Sequence, residues 1–330
     1  MNKPSHGTRG AEAATETDPV APAVAASPRA TEQAGWQPVL IALHRSPVPE
    51  LPEVETVRRG LEQRTTGFRM HAVEVLRERT IATPATGEDF ASAVRGHRIE
   101  AWNRRGKYLL ASMRSEDGMA AIAHWGVHLR MTGQFLLLET PEPVCRHTRV
   151  RFWNDAGVEL RFIDMRCFGQ MWWVPSGDDP TTTIRGLKRL GPEPFDPAFN
   201  SEHLRRSLRN SRRPIKTALL DQGLVAGVGN IYADESLFAA GISPHRQAHS
   251  LEPAQLERLR QALVTVLRAS IGAGGTTFSD FRDLTGTNGN YGGEALVYRR
   301  SGQPCRTCGS AIQRDRIGGR SSHWCPQCQQ

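Results

Sequence analysis

The sequence of 330 residues has no long apolar run, few aromatic residues and only six cysteines. No stretch approaches the roughly 18 consecutive apolar residues that a membrane-spanning helix needs, so no such helix is predicted. The one apolar run near the amino terminus, residues 39–43, is too short and too late for a secretory signal peptide. No internal repeat is present. These absences exclude an integral membrane protein with helical spans and a repeat architecture.

Acidic residues are the scarcer charged class, with 34 Asp and Glu against 42 Lys and Arg, which gives a net charge of +8 and a pI near 9.6. Acids and bases cancel within residues 1–48, so the whole excess belongs to residues 49–330. A basic surface attracts polyanions, and nucleic acid is therefore the first partner class to consider.

Large apolar residues are scarce in residues 1–48, which contain ten Ala and six Pro and show no helical or strand period. Such a segment cannot bury enough apolar surface to offset its ordering entropy. Three interpretations stay open. The segment is a disordered extension, or it is removed by proteolytic maturation, or the start is mis-assigned and Val48 is the initiating residue. A GTG codon encodes Val internally and Met when it initiates translation.

The remaining 282 residues suit more than one domain. A helix is predicted from Pro52, with Val54, Val57 and Leu61 on one face. Short strands dominate from there to about residue 174. Alternating segments at 149–153 and 158–162 flank a four-residue turn and predict a hairpin.

Beyond a linker at 175–183 the apolar period becomes helical. One helix is predicted at 230–240, closed by Gly241, and another after Ser250 as its cap. The predicted fold class is α+β, with an N-terminal helix and an antiparallel β-sandwich domain followed by a helical domain and a zinc finger. The predicted parts are 1–48 (extension or mis-assigned start), 49–178 (sandwich), 184–295 (helical domain) and 296–330 (zinc finger).

The six cysteines do not form a disulfide framework, because four of them lie in two C-x2-C pairs separated by sixteen residues. Two such pairs place four thiolates at the corners of a tetrahedron, the arrangement that Zn²⁺ prefers. Four protein ligands leave no open position, so the predicted zinc is structural. The ligands are Cys305, Cys308, Cys325 and Cys328.

Several separated blocks together resemble the bacterial formamidopyrimidine-DNA glycosylases across residues 49–330. They are 49–59 (PELPEVETVRR), 104–110 (RRGKYLL), 128–133 (HLRMTG), 164–169 (DMRCFG), 190–194 (LGPEP), 225–233 (VAGVGNIYA), 274–277 (GGTT) and the four cysteines. The resemblance implies a helix–two-turns–helix element in the helical domain, and DNA repair as the function.

The resemblance implies four residues at the catalytic centre. Pro49 would be the nucleophile through a free secondary amine, since an α-amino group titrates near pH 8 and is partly unprotonated at neutral pH. Glu50 would be the proton shuttle, Lys107 the catalytic lysine and Arg320 a phosphate-gripping cation. In the sequence as written Pro49 is an internal residue, and its amide nitrogen is not nucleophilic.

The resemblance also implies a set of DNA-binding residues. An enzyme that acts on a stacked nucleotide must flip it out of the helix, and inserted side chains then fill the gap. Met131, Arg166 and Phe168 match those gap-filling positions, and Lys216 and Asn230 match phosphate-binding ones. His147 is added as a further DNA-binding candidate.

The chain departs from the family pattern at three places. Arg130 stands where many members have Gly, and Cys167 where many have a second Arg. The long glycine-rich segment 272–293, which occupies the place of the loop that covers the lesion, also differs from many members.

The expected function is removal of oxidised purines (8-oxoguanine and formamidopyrimidines) from duplex DNA, followed by AP lyase cleavage through β,δ-elimination. One structural Zn²⁺ is the only expected cofactor, and a monomer in the bacterial cytoplasm, associated with the nucleoid, is expected. Three alternatives stay open. They are an endonuclease VIII-like enzyme for oxidised pyrimidines, a catalytically inactive damaged-DNA-binding protein if residues 1–48 are retained, and a zinc-ribbon regulator.

Overall fold

The computed structural model describes residues 48–115, 121–276 and 293–330. Helix α1 spans Leu51–Thr65 and begins one residue before the predicted Pro52. The backbone N–H of Glu50 donates to the Glu53 carboxylate at 2.9 Å, which closes the start of the helix. The three residues predicted to share one face, Val54, Val57 and Leu61, are all buried.

Two packed β-sheets follow α1 and confirm the predicted sandwich. Their strands are β1 (Ala72–Val75), β2 (Ile81–Thr83), β3 (His97–Arg105), β4 (Tyr108–Ser115), β5 (Ala123–His128), β6 (Gly133–Leu138), β7 (Thr148–Trp153), β8 (Glu159–Asp164) and β9 (Gln170–Val174). One sheet has the order β1-β7-β8-β6 and the other β2-β9-β5-β4-β3. Large aromatic side chains fill the core, among them Trp102, Trp125, Phe135, Phe152 and Phe162.

The sequence pattern missed two features of the sandwich. Helix α2 (Gly87–Val94) lies between β2 and β3, and β2 pairs with β9 in parallel, although the other described strand pairs of the sandwich are antiparallel. The predicted hairpin is the β7–β8 pair, in which Trp153 lies opposite Glu159. Asn154 makes its turn, because the side-chain oxygen accepts from the N–H groups of Ala156 and Val158.

The α-helices described after the sandwich are α3 (Pro180–Thr183), α4 (Ser201–Leu208), α5 (Ile215–Leu219), α6 (Asn230–Ala239) and α7 (Pro253–Gly272). Helix α6 ends as predicted, with Gly241 at a φ of +67°. The predicted cap of α7 is wrong: Glu252 precedes the helix, and the Ser250 hydroxyl donates to the carbonyl of Gln247. The apolar faces of α6 and α7 share one buried core.

The carboxyl-terminal hairpin consists of β10 (Gln313–Ile317) and β11 (Arg320–Trp324), joined by Gly318 and Gly319. Both glycines have positive φ, +55° and +78°, which a two-residue turn of this type requires. Within the described ranges, no helix is long and apolar enough to cross a bilayer. Most of the predicted 272–293 loop lies outside the described residues.

Candidate functional site

The start of α1 is seated on the start of α6. Pro49 is buried, and Glu50 is only 2% exposed. The Glu50 carboxylate accepts from the backbone N–H of Ile231 at 2.9 Å and of Tyr232 at 3.4 Å. These N–H groups belong to the first turn of α6, where unpaired donors and the helix dipole favour a negative charge. The anion that this helix start binds is therefore the protein's own carboxylate.

The glycines before α6 make this close approach possible. A Cβ on Gly229 would lie 2.3 Å from Cδ of Glu50, which leaves no room for a side chain. Gly227 has a φ of +85°, and its carbonyl accepts from the N–H of Leu51 at 3.0 Å. The glycine-rich segment thus joins the helical region to the start of α1 by backbone contact.

Burial gives Glu50 an unusual proton affinity. Removal from water raises its pKa to about 7, an effect that the nearby Glu53 carboxylate strengthens. The Lys107 ammonium and the two backbone donors of α6 act in the opposite direction. A carboxyl group with a pKa near 7 is populated in both forms at neutral pH, which is what a proton shuttle requires.

Glu53, one turn further along α1, is held by four donors. It accepts from the N–H of Glu50, from Oη of Tyr232 at 2.6 Å, and from both the N–H and the hydroxyl of Thr276 at 2.8 and 2.7 Å. Tyr232 Oη also lies 2.5 Å from Oγ of Ser270. These contacts fix the Glu53 carboxylate, so its geometry suits orientation of the site.

Lys107 lies in the turn between β3 and β4. Glu193 clamps this turn: its carboxylate accepts from the N–H of Gly106 at 2.6 Å and from the guanidinium groups of Arg104 and Arg105 at 2.7 and 2.9 Å. Gly106 has a φ of +57°. The LGPEP and RRGK blocks of the sequence therefore meet to hold one turn.

The Lys107 ammonium is partly buried and close to the other charged groups of the site. Burial lowers its pKa, the carboxylates of Glu50 and Glu53 oppose that change, and the positive charge of Arg320 adds to it. The fold therefore brings Glu50, Lys107 and Arg320 into one electrostatic environment, although 270 positions separate the first from the last.

Lys216 is placed differently from its predicted role at a DNA phosphate. It has no exposed surface, and its Nζ lies 2.6 Å from the Asp234 carboxylate and 2.6 Å from the carbonyl oxygen of Ser321. Burial lowers its pKa, while Asp234 and Glu50 raise it. In this structure the ammonium is satisfied by protein groups, and a phosphate contact stays a prediction.

Asn230 is the first residue of α6 and is partly buried. Its side chain is hydrogen-bonded to the Tyr298 hydroxyl. Its Oδ1 is buried and has no hydrogen-bond partner among the described residues. Asn230 thus lies beside Glu50 at the helix start, where the phosphate-binding role predicted for it remains open.

The three predicted gap-filling residues lie on two loops that are tied together. Arg166 stacks over the ring of Phe168 at 4.9 Å, and Phe168 is 39% exposed although it is a large apolar side chain. The hydroxyl of Thr132, next to Met131, donates to the Asp164 carboxylate and accepts from the N–H of Arg166. Met131 and the Arg166–Phe168 pair are therefore presented by one joined surface.

Two departures from the family pattern are strained on these same loops. Arg130 has a φ of +56° and Cys167 a φ of +54°, in the left-handed region that favours glycine. The Arg130 guanidinium donates to Gln170 at 2.6 Å, which holds it beside Met131. Glycine adopts this conformation without strain, which explains why many family members have Gly at the position of Arg130. This chain adopts the same conformation with an arginine.

His147 lies close to the second of these loops. Its carbonyl oxygen accepts from the N–H of Asp164 at 2.9 Å, and its ring accepts from the Arg146 side chain at 3.1 Å. Partial burial lowers its pKa, and the cations Arg146 and Arg149 lower it further. Its contact with DNA stays a prediction.

The four cysteines of the carboxyl-terminal hairpin meet as predicted, with all four sulfur atoms within 4.8 Å of one another. Two Sγ–Sγ distances are 3.9 Å (Cys305 to Cys328) and 3.4 Å (Cys308 to Cys325). A tetrahedral Zn²⁺ with bonds of about 2.3 Å places its sulfurs roughly 3.8 Å apart. The donor set and its dimensions fit one structural zinc ion.

Several residues that support the site were not predicted from the sequence. Glu193 positions the Lys107 turn, Tyr232 and Thr276 bind Glu53, and Asp234 binds Lys216. Three of them, Glu193, Tyr232 and Thr276, lie inside blocks that carry the family resemblance. The signal that the sequence offers for them is an acid or a hydroxyl beside a segment of small residues. Their partners are distant in the chain, so the pairing itself could not be predicted.

Three family models match successive parts of the chain. They are the formamidopyrimidine-DNA glycosylase N-terminal domain over residues 48–171, the formamidopyrimidine-DNA glycosylase H2TH domain over residues 190–282, and the zinc finger found in FPG and IleRS over residues 302–330.

Individual relatives agree with these matches. A formamidopyrimidine-DNA glycosylase from Parasynechococcus marenigrum is 62% identical over 282 residues, which cover 86% of this chain and 100% of the relative. A Lactococcus lactis FPG mutant, solved with a Fapy-dG containing DNA, has a TM-score of 0.78 at 35% identity and covers 86% of this chain and 100% of its own. The wild-type Lactococcus lactis FPG, solved with an oxidized pyrimidine containing DNA, has a TM-score of 0.76 at 34% identity with the same coverage. Taken with the geometry of the site, these likenesses show that the chain belongs to the formamidopyrimidine-DNA glycosylase family.

Proposed function

We propose that this chain excises oxidised purines from duplex DNA and then cleaves the abasic strand, with the nitrogen of Pro49 as nucleophile. The observation that carries the proposal is the seat of Glu50. A carboxyl group with a pKa of about 7 lies next to Pro49, on the start of α6 and beside the Lys107 cation. The common location of Pro49, Glu50 and Lys107 supports their assignment as nucleophile, proton shuttle and cation.

The residues support a balanced sequence of steps. The Pro49 nitrogen attacks C1′ of the damaged nucleotide, a bond from nitrogen to C1′ forms, and the bond from C1′ to the base breaks with its electron pair on the base. The base takes up the proton that the nitrogen loses. Glu50 gives its proton to the sugar ring oxygen as the ring opens, which leaves an iminium between nitrogen and C1′. The iminium withdraws electrons, so the C2′ proton is lost and the 3′ phosphate leaves, followed by the 5′ phosphate.

The gap-filling surface supports the first requirement of this reaction. C1′ of a stacked nucleotide is accessible only when the nucleotide is flipped out, at a cost of a few kcal/mol. An exposed Phe168 under the Arg166 guanidinium, beside Met131, supplies apolar and cationic surface that replaces the lost stacking. The net positive charge of residues 49–330 favours the DNA phosphates nearby.

The chemistry requires that Pro49 be the first residue of the reacting polypeptide, because an acylated nitrogen has no free lone pair. Borohydride reduces an iminium to a stable amine, so it should trap the protein on a duplex that contains 8-oxoguanine. Amino-terminal sequencing of the DNA-free protein in that preparation should begin at Pro49, and a peptide map of the adduct should place DNA on Pro49. A duplex with undamaged guanine is the control and should trap nothing. An adduct on a polypeptide that retains Val48 would contradict the mechanism.

Substrate breadth is the second part of the proposal. We propose oxidised purines as the main substrates, because the PELPEVE start resembles that branch of the family. The structure of the Lactococcus lactis FPG with an oxidized pyrimidine containing DNA is the observation that favours testing the other class. Single-turnover rates on matched duplexes with 8-oxoguanine, a formamidopyrimidine and an oxidised pyrimidine should rank the two purine lesions first. A faster rate on the pyrimidine would favour the endonuclease VIII-like alternative.

The oligomeric state and the cellular location are also proposals. One protein suffices for one lesion, so we propose a monomer that acts on chromosomal DNA in the bacterial cytoplasm, at the nucleoid. Light scattering of the protein with and without one equivalent of duplex tests the stoichiometry. A mass of two protein chains per duplex would contradict it.

A further inference from the structure

Asp234 is a buried acid that the proposed mechanism does not use. It lies on α6 one turn after Asn230, and its side chain has no exposed surface. Its carboxylate has four contacts: Nζ of Lys216 at 2.6 Å, Oγ of Ser322 at 3.2 Å, and the N–H and Nδ1 of His323 at 2.9 and 3.2 Å. Both oxygens are fully used, so this acid binds protein groups only.

These contacts connect two separate parts of the chain. Lys216 lies on α5, whereas Ser322 and His323 lie on β11 of the zinc hairpin. The Lys216 ammonium also donates to the carbonyl oxygen of Ser321 at 2.6 Å, so it lies between α6 and the same strand. One ion pair therefore holds residues 321–323 against the helical region.

Arg320 is the residue directly before this pinned strand segment. On its other side the turn is also confined, because a Cβ on Gly318 would lie 2.9 Å from Oγ1 of Thr217, next to Lys216. Arg320 is close enough to the catalytic corner for its charge to act on Lys107. The ion pair thus fixes the backbone on which Arg320 stands.

The zinc site cannot provide this positioning. Cys325, the nearest ligand, directly follows β11 and lies five residues from Arg320, which is about 17 Å along an extended strand. Over that distance the zinc ligands do not fix the tip of the hairpin, so a local contact is needed to hold Arg320 in place. Replacing a buried ion pair by apolar residues is often neutral or stabilising, so stability alone does not account for this pair.

We propose that Asp234 is a positioning residue that acts through Arg320: paired with Lys216, it holds β11 so that Arg320 reaches the DNA phosphate at the reacting nucleotide. The proposal rests on the proposed function, because it takes from it the role of Arg320. It assigns a role to a residue that does not touch the substrate, and it predicts that the zinc site and the grip on DNA are separable.

A double-mutant cycle tests this coupling in the active protein. The variants are Asp234→Asn, which keeps the size and two acceptor contacts but loses the charge, Arg320→Ala, and the double variant. Binding to a duplex with a stable abasic-site analogue should weaken about tenfold for each single variant, the size of one charge-assisted hydrogen bond. The double variant should bind no more weakly than Arg320→Ala, because coupled residues are not additive.

Asp315→Asn is the matched control. Asp315 lies on the partner strand β10 of the same hairpin, accepts from Trp324 Nε1 at 2.7 Å and pairs with His245 Nε2 at 2.8 Å, so it tests a second contact between the hairpin and the helical region that does not involve Lys216. This substitution should change binding by less than threefold. Zinc content, measured by atomic absorption, should stay at one per chain in every variant, and the single-turnover rate at saturating protein should fall far less than the affinity.

Three results would overturn the proposal: additive losses in the double variant, an equal loss in Asp315→Asn, or loss of zinc from Asp234→Asn. Ser322→Ala keeps the ion pair and serves if Asp234→Asn does not fold; its smaller loss should also vanish in the Arg320→Ala background. Failure of the proposed function is recognised separately, because unmodified protein would then give no borohydride adduct on 8-oxoguanine DNA.

Discussion

Two clusters of acidic groups in this molecule are compensated in opposite ways. In the zinc hairpin, four cysteine sulfurs are placed to bind one Zn²⁺, whose two positive charges offset half of the charge of four thiolates. At the start of α1, Glu50 and Glu53 are 2% and 3% exposed and share one ammonium, Lys107, with a few backbone and hydroxyl donors. In the zinc site the metal bonds hold the thiolates in one charge state. At the start of α1, Glu50 can exchange a proton at neutral pH.

The comparison shows how compensation decides between structure and reactivity. Glu53 accepts from four donors, whereas Glu50 accepts from two N–H groups of α6 and has a raised pKa. Two acids of similar burial thus have different surroundings, and the roles proposed for them follow from that difference.

Zinc removal should have the largest effect, because it takes away the ion that holds the four cysteine ligands together. Structural zinc contributes about 10–16 kcal/mol of binding energy in small zinc domains, which the few apolar residues of the hairpin cannot replace. A chelator should unfold residues 296–330, seen as rapid hydrogen exchange there, and abolish DNA binding. Re-addition of Zn²⁺ should restore both. Binding that persists after complete zinc removal would show that the hairpin does not hold DNA.

Glu50→Gln should have the next largest effect, because it keeps the seat on α6 but removes the proton. The single-turnover rate of base excision should fall about 10²–10⁴-fold, the usual contribution of a general acid. In the unmodified protein the rate should decline above pH 7, as Glu50 deprotonates, and this decline should be absent in Glu50→Gln.

Rates between pH 5.5 and 9 on an 8-oxoguanine duplex measure both effects. Glu202→Gln, on the exposed surface of α4, is the control and should retain the decline above pH 7. An unchanged pH profile in Glu50→Gln would exclude Glu50 as the proton donor.

The same acid should make folding stability depend on pH. Its pKa is about 7 in the folded protein against 4.5 for the ordinary group, so the folded state holds the proton more tightly. The free energy of unfolding should therefore be highest below pH 4.5 as far as this group is concerned, fall as the pH rises from 4.5 to 7, and lose about 3 kcal/mol in total. Urea unfolding at pH 5 and pH 8 should show this difference, and Glu50→Gln should show a smaller one. Equal differences in both proteins would contradict the assignment.

The smallest effect is expected at the strained positions of the gap-filling loops. Arg130→Gly and Cys167→Gly should each remove a left-handed strain of about 1–2 kcal/mol. Arg130→Gly also loses the hydrogen bond to Gln170, so its net gain in unfolding free energy should be at most about 1 kcal/mol. Thermal unfolding compares the two variants, and a larger gain in Arg130→Gly than in Cys167→Gly would show that the Gln170 contact contributes nothing.

The predictable part of the structure is the part whose signal is local. The α1 face, the β7–β8 hairpin and the end of α6 all follow from patterns within twenty residues, and the structure confirms them. Helix α2 and the parallel β2–β9 pair were missed, because they depend on packing against distant strands. Ser250 was a reasonable cap by residue type, yet Glu252 precedes the helix, since proline at 253 sets where it starts.

The sequence by itself determined the zinc ligands and the family, since the cysteines lie within 24 positions and the motif blocks keep their order. Only the tertiary structure decided that Glu50 is seated on the amides of α6, that Glu193 holds the Lys107 turn, and that Lys216 faces Asp234 rather than solvent. The physical reason is that burial and charge compensation are properties of the surroundings. A carboxylate acquires its pKa from neighbours that the chain supplies from positions up to 270 residues away.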